Sequence, residues 1–141
     1  MTFLSSKEPM SGKGCVLFKV MLVEDDEGFR RSLAGLLMSR FPSIAIGEAR
    51  DGAEAMEKVE SFLPNLIFMD IKLPGQSGLE LTRRIKKLHP NIDVVMLTSY
   101  DFPEYREAAR ASGAYGFLSK GTSTAEEIQD FVEGLWAQCA P

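Results

Sequence analysis

The chain alternates five times between a short apolar run and an amphipathic stretch, and this alternation constrains the fold more than any other feature. The apolar runs are nearly continuous, as at 18–23 and 92–97, which is typical of parallel strands buried on both faces. Between the runs, apolar residues recur at helical spacing, as Leu81, Ile85 and Leu88 do. With right-handed crossovers this predicts an α/β fold, a doubly wound (βα)5 parallel five-stranded sheet with helices on both faces. The pattern leaves the order of the strands open.

The boundaries of the elements follow from the apolar runs and from helix-ending prolines. Strands are expected over residues 18–23, 44–48, 66–69, 92–97 and 116–119. Pro42, Pro64 and Pro90 end the first three helices, because proline lacks the backbone N–H that a helix interior needs. A flexible leader is expected over residues 1–15, a folded domain over 16–137 and a short tail over 138–141.

The composition argues against several classes of protein. The formal net charge of −4 argues against a sequence-independent grip on nucleic acid, which needs a basic face, so no direct nucleic-acid binding is expected. No segment approaches the ~18 apolar residues that a membrane span requires. Cys15 and Cys139 belong to no metal-binding motif and are expected to be free thiols in a reducing compartment. Together these observations favour a cytoplasmic protein that does not associate with membranes.

Charged residues follow three of the predicted strands at the points where those strands end. Glu24 and Asp25 follow the first strand, Asp70 the third and Lys120 the last. Because the carboxyl ends of parallel strands share one edge of the sheet, these side chains are expected to face one another. Three converging carboxylates would raise one another's pKa unless a cation separates them. A hard dication such as Mg²⁺, with Mn²⁺ as an alternative, suits such a set of oxygen ligands.

Each of these residues, taken singly, has a simpler interpretation. Acids at strand ends often cap the following helix, and lysines there are commonly solvated. Thr98, which follows the fourth strand, could donate its hydroxyl to a phosphoryl group or could form a local turn or cap. The simpler interpretations explain single residues, but not acids at two strands together with a lysine at a third.

Taken in order, these residues resemble the receiver domain of two-component response regulators, the CheY-like superfamily. The motifs are Glu24-Asp25, then Asp70, then Pro74-Gly75 with Gly78, then Thr98-Ser99, and finally Lys120. Each motif is weak alone, but five in this order on the expected alternation of strands and helices are specific. The resemblance covers residues 16–137 and implies a receiver domain with a flavodoxin/CheY-like sheet.

The resemblance implies a role for each of these residues. Asp70 would be the phosphoacceptor, and Lys120 and Thr98 would contact the phosphoryl group. The groups that would hold Mg²⁺ are the carboxylates of Glu24, Asp25 and Asp70 and the backbone carbonyl of Lys72. Thr98 and Phe117 would form a switch that moves on phosphorylation. Such a protein is not a conventional enzyme, but it supports its own phosphotransfer and autodephosphorylation.

The resemblance also implies the partners. The phosphoryl group would come from a sensor histidine kinase or a phosphotransfer protein. Phosphorylation would switch a face made by the fourth helix, the last strand and the last helix. That face would engage a downstream protein target, an attached output domain or a second copy of the chain. The alternative within the family is a degenerate receiver, which binds partners without being phosphorylated.

Three positions near the implied site are distinctive. Gly121 stands where many receivers have proline, so the cis peptide of those members is not carried over. Lys72 and Tyr100 lie two residues after Asp70 and Thr98, positions that flank the approach of the hydrolytic water in the family. We hypothesise that the Lys72 and Tyr100 side chains tune the lifetime of the phosphoryl group.

Two other classes of protein share parts of this pattern. A haloacid-dehalogenase-like phosphohydrolase also forms an aspartyl phosphate, but it needs a second aspartate where this chain has Lys72. A flavodoxin-like flavin protein needs a phosphate-binding loop after the first strand, where the acids at 24–27 would repel the flavin phosphate. Both classes are therefore disfavoured.

Overall fold

A computed structural model of the chain describes residues 17–139, so the predicted leader at 1–15 lies outside the described residues. The strands are β1 (Lys19–Val23), β2 (Ala45–Ala49), β3 (Leu66–Asp70), β4 (Lys72–Leu73), β5 (Gln76–Ser77), β6 (Asp93–Thr98) and β7 (Gly116–Ser119). The helices are α1 (Glu27–Arg40), α2 (Gly52–Phe62), α3 (Gly78–Leu88), α4 (Pro103–Ala111) and α5 (Ala125–Gln138). Five of the strands form one parallel sheet in the order β2-β1-β3-β6-β7. The predicted doubly wound α/β fold is confirmed.

The sheet is buried on both faces because successive residues of a strand point to opposite sides. On one side, Val20 and Leu22 of β1 pack in a core shared with α1 and α5. On the other side, Met21 and Val23 pack in a core shared with α2, α3 and α4. All four side chains have 0% of their surface exposed. This burial on two sides explains why the strands read as continuous apolar runs in the sequence.

The strand order places the carboxyl ends of β1 and β3 side by side. Val23 is paired with Met69 in the parallel register between the two strands. The neighbour on the far side of β1 is β2, whereas the neighbour on the far side of β3 is β6. The chain therefore turns in opposite directions after β1 and after β3. Ligands of open α/β sheets bind in the crevice that such a reversal opens.

A small antiparallel hairpin lies between β3 and α3, a stretch in which the apolar runs of the sequence predicted no strand. Lys72 is paired with Ser77 and Leu73 with Gln76. Gly75 turns the chain with a φ of +76°, a conformation open to glycine because it has no Cβ. Strands of two residues are too short to leave a periodic signal in the sequence.

Cys139, which follows α5, is disulfide-bonded, so the prediction of a free thiol is wrong for this residue. Cys15 lies outside the described residues. α5 returns Cys139 to the edge of the sheet where β1 begins, and there its sulfur lies 3.5 Å from the side-chain nitrogen of Asn65. Cys139 and Asn65 are far apart in the sequence, and nothing in the sequence indicates that they are close in the fold. The expected cytoplasmic location loses the support that it drew from free thiols.

In the part of the chain that the structure describes, no helix has the length and apolar character needed to cross a membrane.

Gly78, the first residue of α3, is expected to tolerate no side chain. A Cβ built on Gly78 would lie 1.9 Å from the carbonyl oxygen of Asp70, so Gly78→Ala must displace either α3 or the end of β3. We expect this substitution to lower the free energy of unfolding by about 1–3 kcal/mol in urea denaturation. Gly35→Ala in α1 is the control, because nothing lies within 4 Å of the added carbon. It should raise that free energy by about 0.5–1 kcal/mol, and equal effects of the two substitutions would contradict the argument.

Candidate functional site

Glu24, Asp25 and Asp70 come together in the crevice between β1 and β3. One carboxylate oxygen of each residue lies within 4.8 Å of the others, as the strand ends predicted. Glu24 and Asp70 are buried, with 3% and 5% of their surface exposed, whereas Asp25 is exposed. Helix capping does not account for this cluster, because Asp26 is the residue that caps α1.

Lys120 extends from the end of β7 to both buried acids. Its Nζ lies 2.5 Å from Oε1 of Glu24 and 3.3 Å from Oδ2 of Asp70. Its backbone N–H donates to the carbonyl of Thr98 at 2.8 Å, which continues the β6–β7 ladder and fixes the base of the side chain. The ammonium also lies 4.7 Å from the centre of the Phe29 ring, at a cation–π distance. No cis peptide occurs in the described residues, which include the Lys120–Gly121 bond.

The buried acids and Lys120 shift one another's protonation. Burial raises the pKa of Asp70 despite the attraction of the Lys120 ammonium. Burial likewise raises the pKa of Glu24; hydrogen bonds from Lys120 and Asp26 oppose this, and the charge of Asp70 adds to it. Burial alone would lower the pKa of Lys120, but the Glu24 hydrogen bond and the charge of Asp70 raise it. One ammonium thus faces two carboxylates, and negative charge remains for a further cation to neutralise.

A hard dication such as Mg²⁺ fits this set of donors. The cluster offers carboxylate oxygens and contains no histidine or cysteine among the described residues. Hard oxygen donors favour Mg²⁺ over zinc or copper. Lys72, whose carbonyl is the remaining predicted ligand, lies directly beside the cluster, since its N–H lies 3.3 Å from Oδ1 of Asp70.

Thr98 ends β6 next to this cluster and is fully buried. Asp70 is paired in register with Leu97, so Thr98 lies one residue further along the neighbouring strand. Its Oγ1 accepts a hydrogen bond from the Tyr100 N–H at 3.1 Å. A hydroxyl that accepts still has its own hydrogen to donate, so Thr98 retains a donor at the edge of the crevice.

Phe117 on β7 is covered by a side chain of α4. The guanidinium of Arg106 lies 4.6 Å from the centre of the Phe117 ring, and its Nε donates to Oδ1 of Asp101 at 2.7 Å. Phe117 is paired in register with Met96, two residues before Thr98. The two predicted switch residues therefore lie on neighbouring strands, and an ion-paired arginine holds the ring from outside.

The ammonium of Lys72 lies over two aromatic rings at the mouth of the crevice. It is 5.2 Å from the centre of the Tyr100 ring and 5.8 Å from that of Tyr105, and the two ring centres are 5.9 Å apart. Lys72 and Tyr100, both predicted to flank the site, are thereby joined through cation–π contacts. Tyr105 was not among the predicted residues, because nothing in its local sequence connects it to Lys72.

Arg30 was also not predicted, because it does not lie at the end of a strand. It lies in the first turn of α1 with only 8% of its surface exposed, and its guanidinium reaches the carbonyl of Glu24. The signal that could have found it is its position. Arg30 precedes Leu33, Ala34 and Leu37 by three, four and seven residues, so it lies on the buried face of an amphipathic helix.

A cavity of about 550 Å³ opens beside the Lys120 ammonium. Phe29, Ser99 and Thr122 are among the residues that line it. Lys120 both lines this cavity and contacts the buried acids, so the cavity adjoins the acidic cluster.

Comparison with known proteins places this site in a family. Residues 20–133 match the family model of the response regulator receiver domain. The response regulator GacA of Pseudomonas syringae pv. syringae is 32% identical over 113 residues, which is 80% of this chain and 53% of that protein. The DNA-binding transcriptional activator DevR/DosR of Mycobacterium tuberculosis is 35% identical over 121 residues, or 84% of this chain and 56% of that protein. The crystal structure of a CheY-like response regulator receiver domain protein from Methanospirillum hungatei has a TM-score of 0.78 at 25% identity, over 86% of this chain and 95% of that one.

The chain spans about half the length of the curated relatives that it matches. The family model, in contrast, covers most of this chain, from β1 into α5. The strand order and the cluster of acids with a lysine agree with that match. The chain therefore belongs to the response regulator receiver domain family of two-component systems.

Proposed function

We propose that this chain is a phosphoacceptor receiver, in which Asp70 takes a phosphoryl group from a sensor histidine kinase or a phosphotransfer protein. The observation that carries the proposal is the contact of Lys120 with both Asp70 and Glu24. Two buried carboxylates held at one lysine are costly for folding, since burial disfavours their charged forms. A module that only bound partners would have no use for that arrangement. The contact therefore supports phosphorylation over the degenerate alternative.

The chemistry is a displacement at phosphorus. A carboxylate oxygen of Asp70 attacks the phosphorus of a phosphohistidine, the P–N bond breaks, and the electron pair stays on the histidine nitrogen. Attacker and phosphoryl group are both anionic, and the Lys120 ammonium offsets their repulsion. Held by Glu24, Asp25, Asp70 and the carbonyl of Lys72, Mg²⁺ would neutralise further charge on the phosphoryl oxygens. Later, water would attack the phosphorus, the P–O bond to Asp70 would break, and the release of inorganic phosphate would restore the carboxylate.

Phosphorylation would reach the surface through Thr98 and Phe117. Thr98 would move its hydroxyl toward the phosphoryl group and donate to a phosphoryl oxygen, which would take Oγ1 away from the Tyr100 N–H that it now accepts from. That movement would make room for the Phe117 ring, which would leave the guanidinium of Arg106. The face formed by α4, β7 and α5 would change shape as a result. A downstream protein, an attached output domain or a second copy of the chain would bind to that face.

The relatives support an attached output domain as one of these partners. The mycobacterial relative is named a DNA-binding transcriptional activator, and the match covers 56% of its length. In a longer protein of that kind, DNA binding would belong to the part outside the match. The net charge of −4 is consistent with a chain that does not itself bind nucleic acid. A cytoplasmic location remains the expectation for such a partner of a kinase.

Mass spectrometry with a small phosphodonor tests the proposal. The chain is incubated with acetyl phosphate, with Mg²⁺ or with a chelator, and its intact mass is recorded before and after exposure to base. We expect a base-labile gain of one phosphoryl group that requires Mg²⁺. Borohydride reduction should then convert residue 70 to homoserine, which peptide sequencing can locate. A folded chain labelled neither by acetyl phosphate nor by a panel of phosphorylated histidine kinases would favour the degenerate receiver.

The lifetime of the phosphoryl group is expected to depend on the contacts of Lys72. Lys72→Ala and Tyr100→Ala should each speed autodephosphorylation by about 3- to 10-fold, because either change opens the mouth of the crevice to water. Tyr100→Phe keeps the ring and should retain the wild-type rate. The double alanine variant should lose its phosphoryl group only slightly faster than either single variant, since the two residues act through one contact. Loss of the phosphorylated mass with time gives the rates.

Lys87→Ala is the matched control for Lys72→Ala, because Lys87 is exposed on α3. Unchanged lifetimes in both Lys72→Ala and Tyr100→Ala would refute the hypothesis that these side chains tune the reaction.

A further inference from the structure

We propose that Arg30, paired with Glu48, is a positioning residue that holds the loop between β1 and α1 in the geometry that binds Mg²⁺. The inference rests on the proposed Mg²⁺-dependent function. It adds two residues that lie outside the set of acids, threonine and lysine described above.

One guanidinium connects three elements of the fold. Nη1 of Arg30 donates to the carbonyl oxygen of Glu24 at 2.7 Å, and Nε donates to Oε1 of Glu48 at 2.6 Å. Arg30 lies on α1, Glu24 follows β1, and Glu48 is paired with Leu22 in the register between β1 and β2. The helix, the acidic loop and the outer strand are thus tied at a single buried side chain.

The hydrogen bond from Arg30 is the last of several contacts that hold Glu24 in place. The Glu24 N–H donates to the carbonyl of Ala49 at 3.0 Å, Oε2 accepts from the Asp26 N–H at 3.0 Å, and Oε1 contacts Lys120. Arg30 supplies the partner of the carbonyl. That carbonyl belongs to the planar peptide that joins Glu24 to Asp25, so its hydrogen bond sets the direction in which the chain enters Asp25. Asp25 is exposed, and its orientation depends on that backbone.

Glu48 neutralises the positive charge that Arg30 would otherwise bring close to the proposed Mg²⁺ site. An unpaired guanidinium next to the acids would repel Mg²⁺ at short range. The carboxylate of Glu48 balances the charge of Arg30, so the loop gains a strong charge-assisted donor without a net positive charge. Glu48 is itself held in place, because Nζ of Lys58 on α2 donates to its carbonyl oxygen.

Calorimetric titration with Mg²⁺ tests the inference on unphosphorylated protein. Arg30→Gln is expected to weaken Mg²⁺ binding by about 10-fold or more, which is typical for the loss of a group that orients metal ligands. Arg30→Lys keeps the charge but not the paired donors, and it should give an intermediate affinity. Glu48→Gln should weaken binding by about 3- to 10-fold, because it leaves the guanidinium charge unbalanced. At saturating Mg²⁺, the variants should be phosphorylated at the wild-type rate.

Arg31→Gln is the matched control. Arg31 is the next residue on α1, its side chain is 76% exposed, and it pairs with Glu27 at 2.9 Å; its replacement should leave Mg²⁺ affinity unchanged. Urea denaturation of each variant separates a loss of stability from a loss of affinity. If Arg30→Gln does not fold, Glu48→Gln decides, because that side chain is 42% exposed.

Two results would overturn the inference, and they are distinguishable. If the wild type binds Mg²⁺ and the folded Arg30 and Glu48 variants bind it equally well, the ion pair is only structural. If the wild type does not bind Mg²⁺, the proposed function fails and the inference fails with it.

Discussion

Asp70→Asn is expected to abolish the Mg²⁺-dependent gain of a phosphoryl group while leaving the fold intact. The amide has almost the same shape as the carboxylate, and its oxygen can still accept from the Lys72 N–H, which lies 3.3 Å from Oδ1 of Asp70. It offers no anionic oxygen to attack phosphorus, however. Lys120 keeps Glu24 as its partner, so no buried cation is left unpaired. Intact mass after incubation with acetyl phosphate measures the loss.

Asp51→Asn is the matched control for this substitution. Asp51 caps α2 by accepting from the Glu54 N–H at 2.9 Å, and asparagine caps a helix equally well. The control should be phosphorylated like the wild type. A phosphoryl group gained by Asp70→Asn would show that another residue is the acceptor.

The same Asp70→Asn variant should be more stable than the wild type at neutral pH without Mg²⁺. Burial raises the pKa of Asp70 in the folded chain, so the stability that this carboxyl contributes is present below its unfolded pKa of about 4 and is lost as pH rises through the folded pKa. The asparagine does not titrate and avoids that loss. We expect a gain on the order of 1 kcal/mol at pH 7, or roughly 3–4 °C in Tm, that vanishes near pH 3. With saturating Mg²⁺ the wild type should become the more stable of the two proteins, because it binds the ion more tightly than the variant does.

The part of the site that lies at the ends of the strands could be predicted from the sequence. Glu24, Asp70 and Lys120 each follow a run of apolar residues, and the carboxyl ends of parallel strands share one edge. Sequence periodicity is local, however, and carries no information on which strand lies beside which. The order β2-β1-β3-β6-β7, which brings the acids of β1 and β3 into one crevice, had to come from the structure.

The contacts that refine the site lie between residues with no local relation in the sequence. Arg30 meets Glu48 across 18 positions, and Lys72 meets Tyr105 although β5, α3 and β6 lie between them in the chain. In neither pair are the two residues separated by a number of positions that a helix or a hairpin would bring into contact. Arg30 at least leaves one signal, since a charge on the apolar face of α1 needs a buried partner. Such pairs have to be found in three dimensions.

Lys120→Gln is expected to slow phosphorylation by acetyl phosphate by about 10²- to 10³-fold, the usual effect of removing one preorganised donor to developing negative charge. The ammonium lies 3.3 Å from Oδ2 of Asp70, the carboxylate proposed to attack phosphorus. Lys120→Arg should recover only part of the rate, because a planar guanidinium does not replace a compact ammonium in a buried site. Lys87→Gln, on the exposed side of α3, controls for the loss of one positive charge. A wild-type rate in Lys120→Gln would remove Lys120 from the mechanism.

A second measurement on Lys120→Gln separates its role in the reaction from a role in binding the metal. Lys120 Nζ contacts Glu24 and Asp70, the same carboxylates that would hold Mg²⁺. Ammonium and dication therefore compete for negative charge, and removing the ammonium should tighten Mg²⁺ binding by several-fold, on the order of 1 kcal/mol. The variant should thus bind Mg²⁺ better and accept phosphate far more slowly. A damaged site would lose both properties together, so opposite changes would identify Lys120 as the group that neutralises the transferring phosphoryl group.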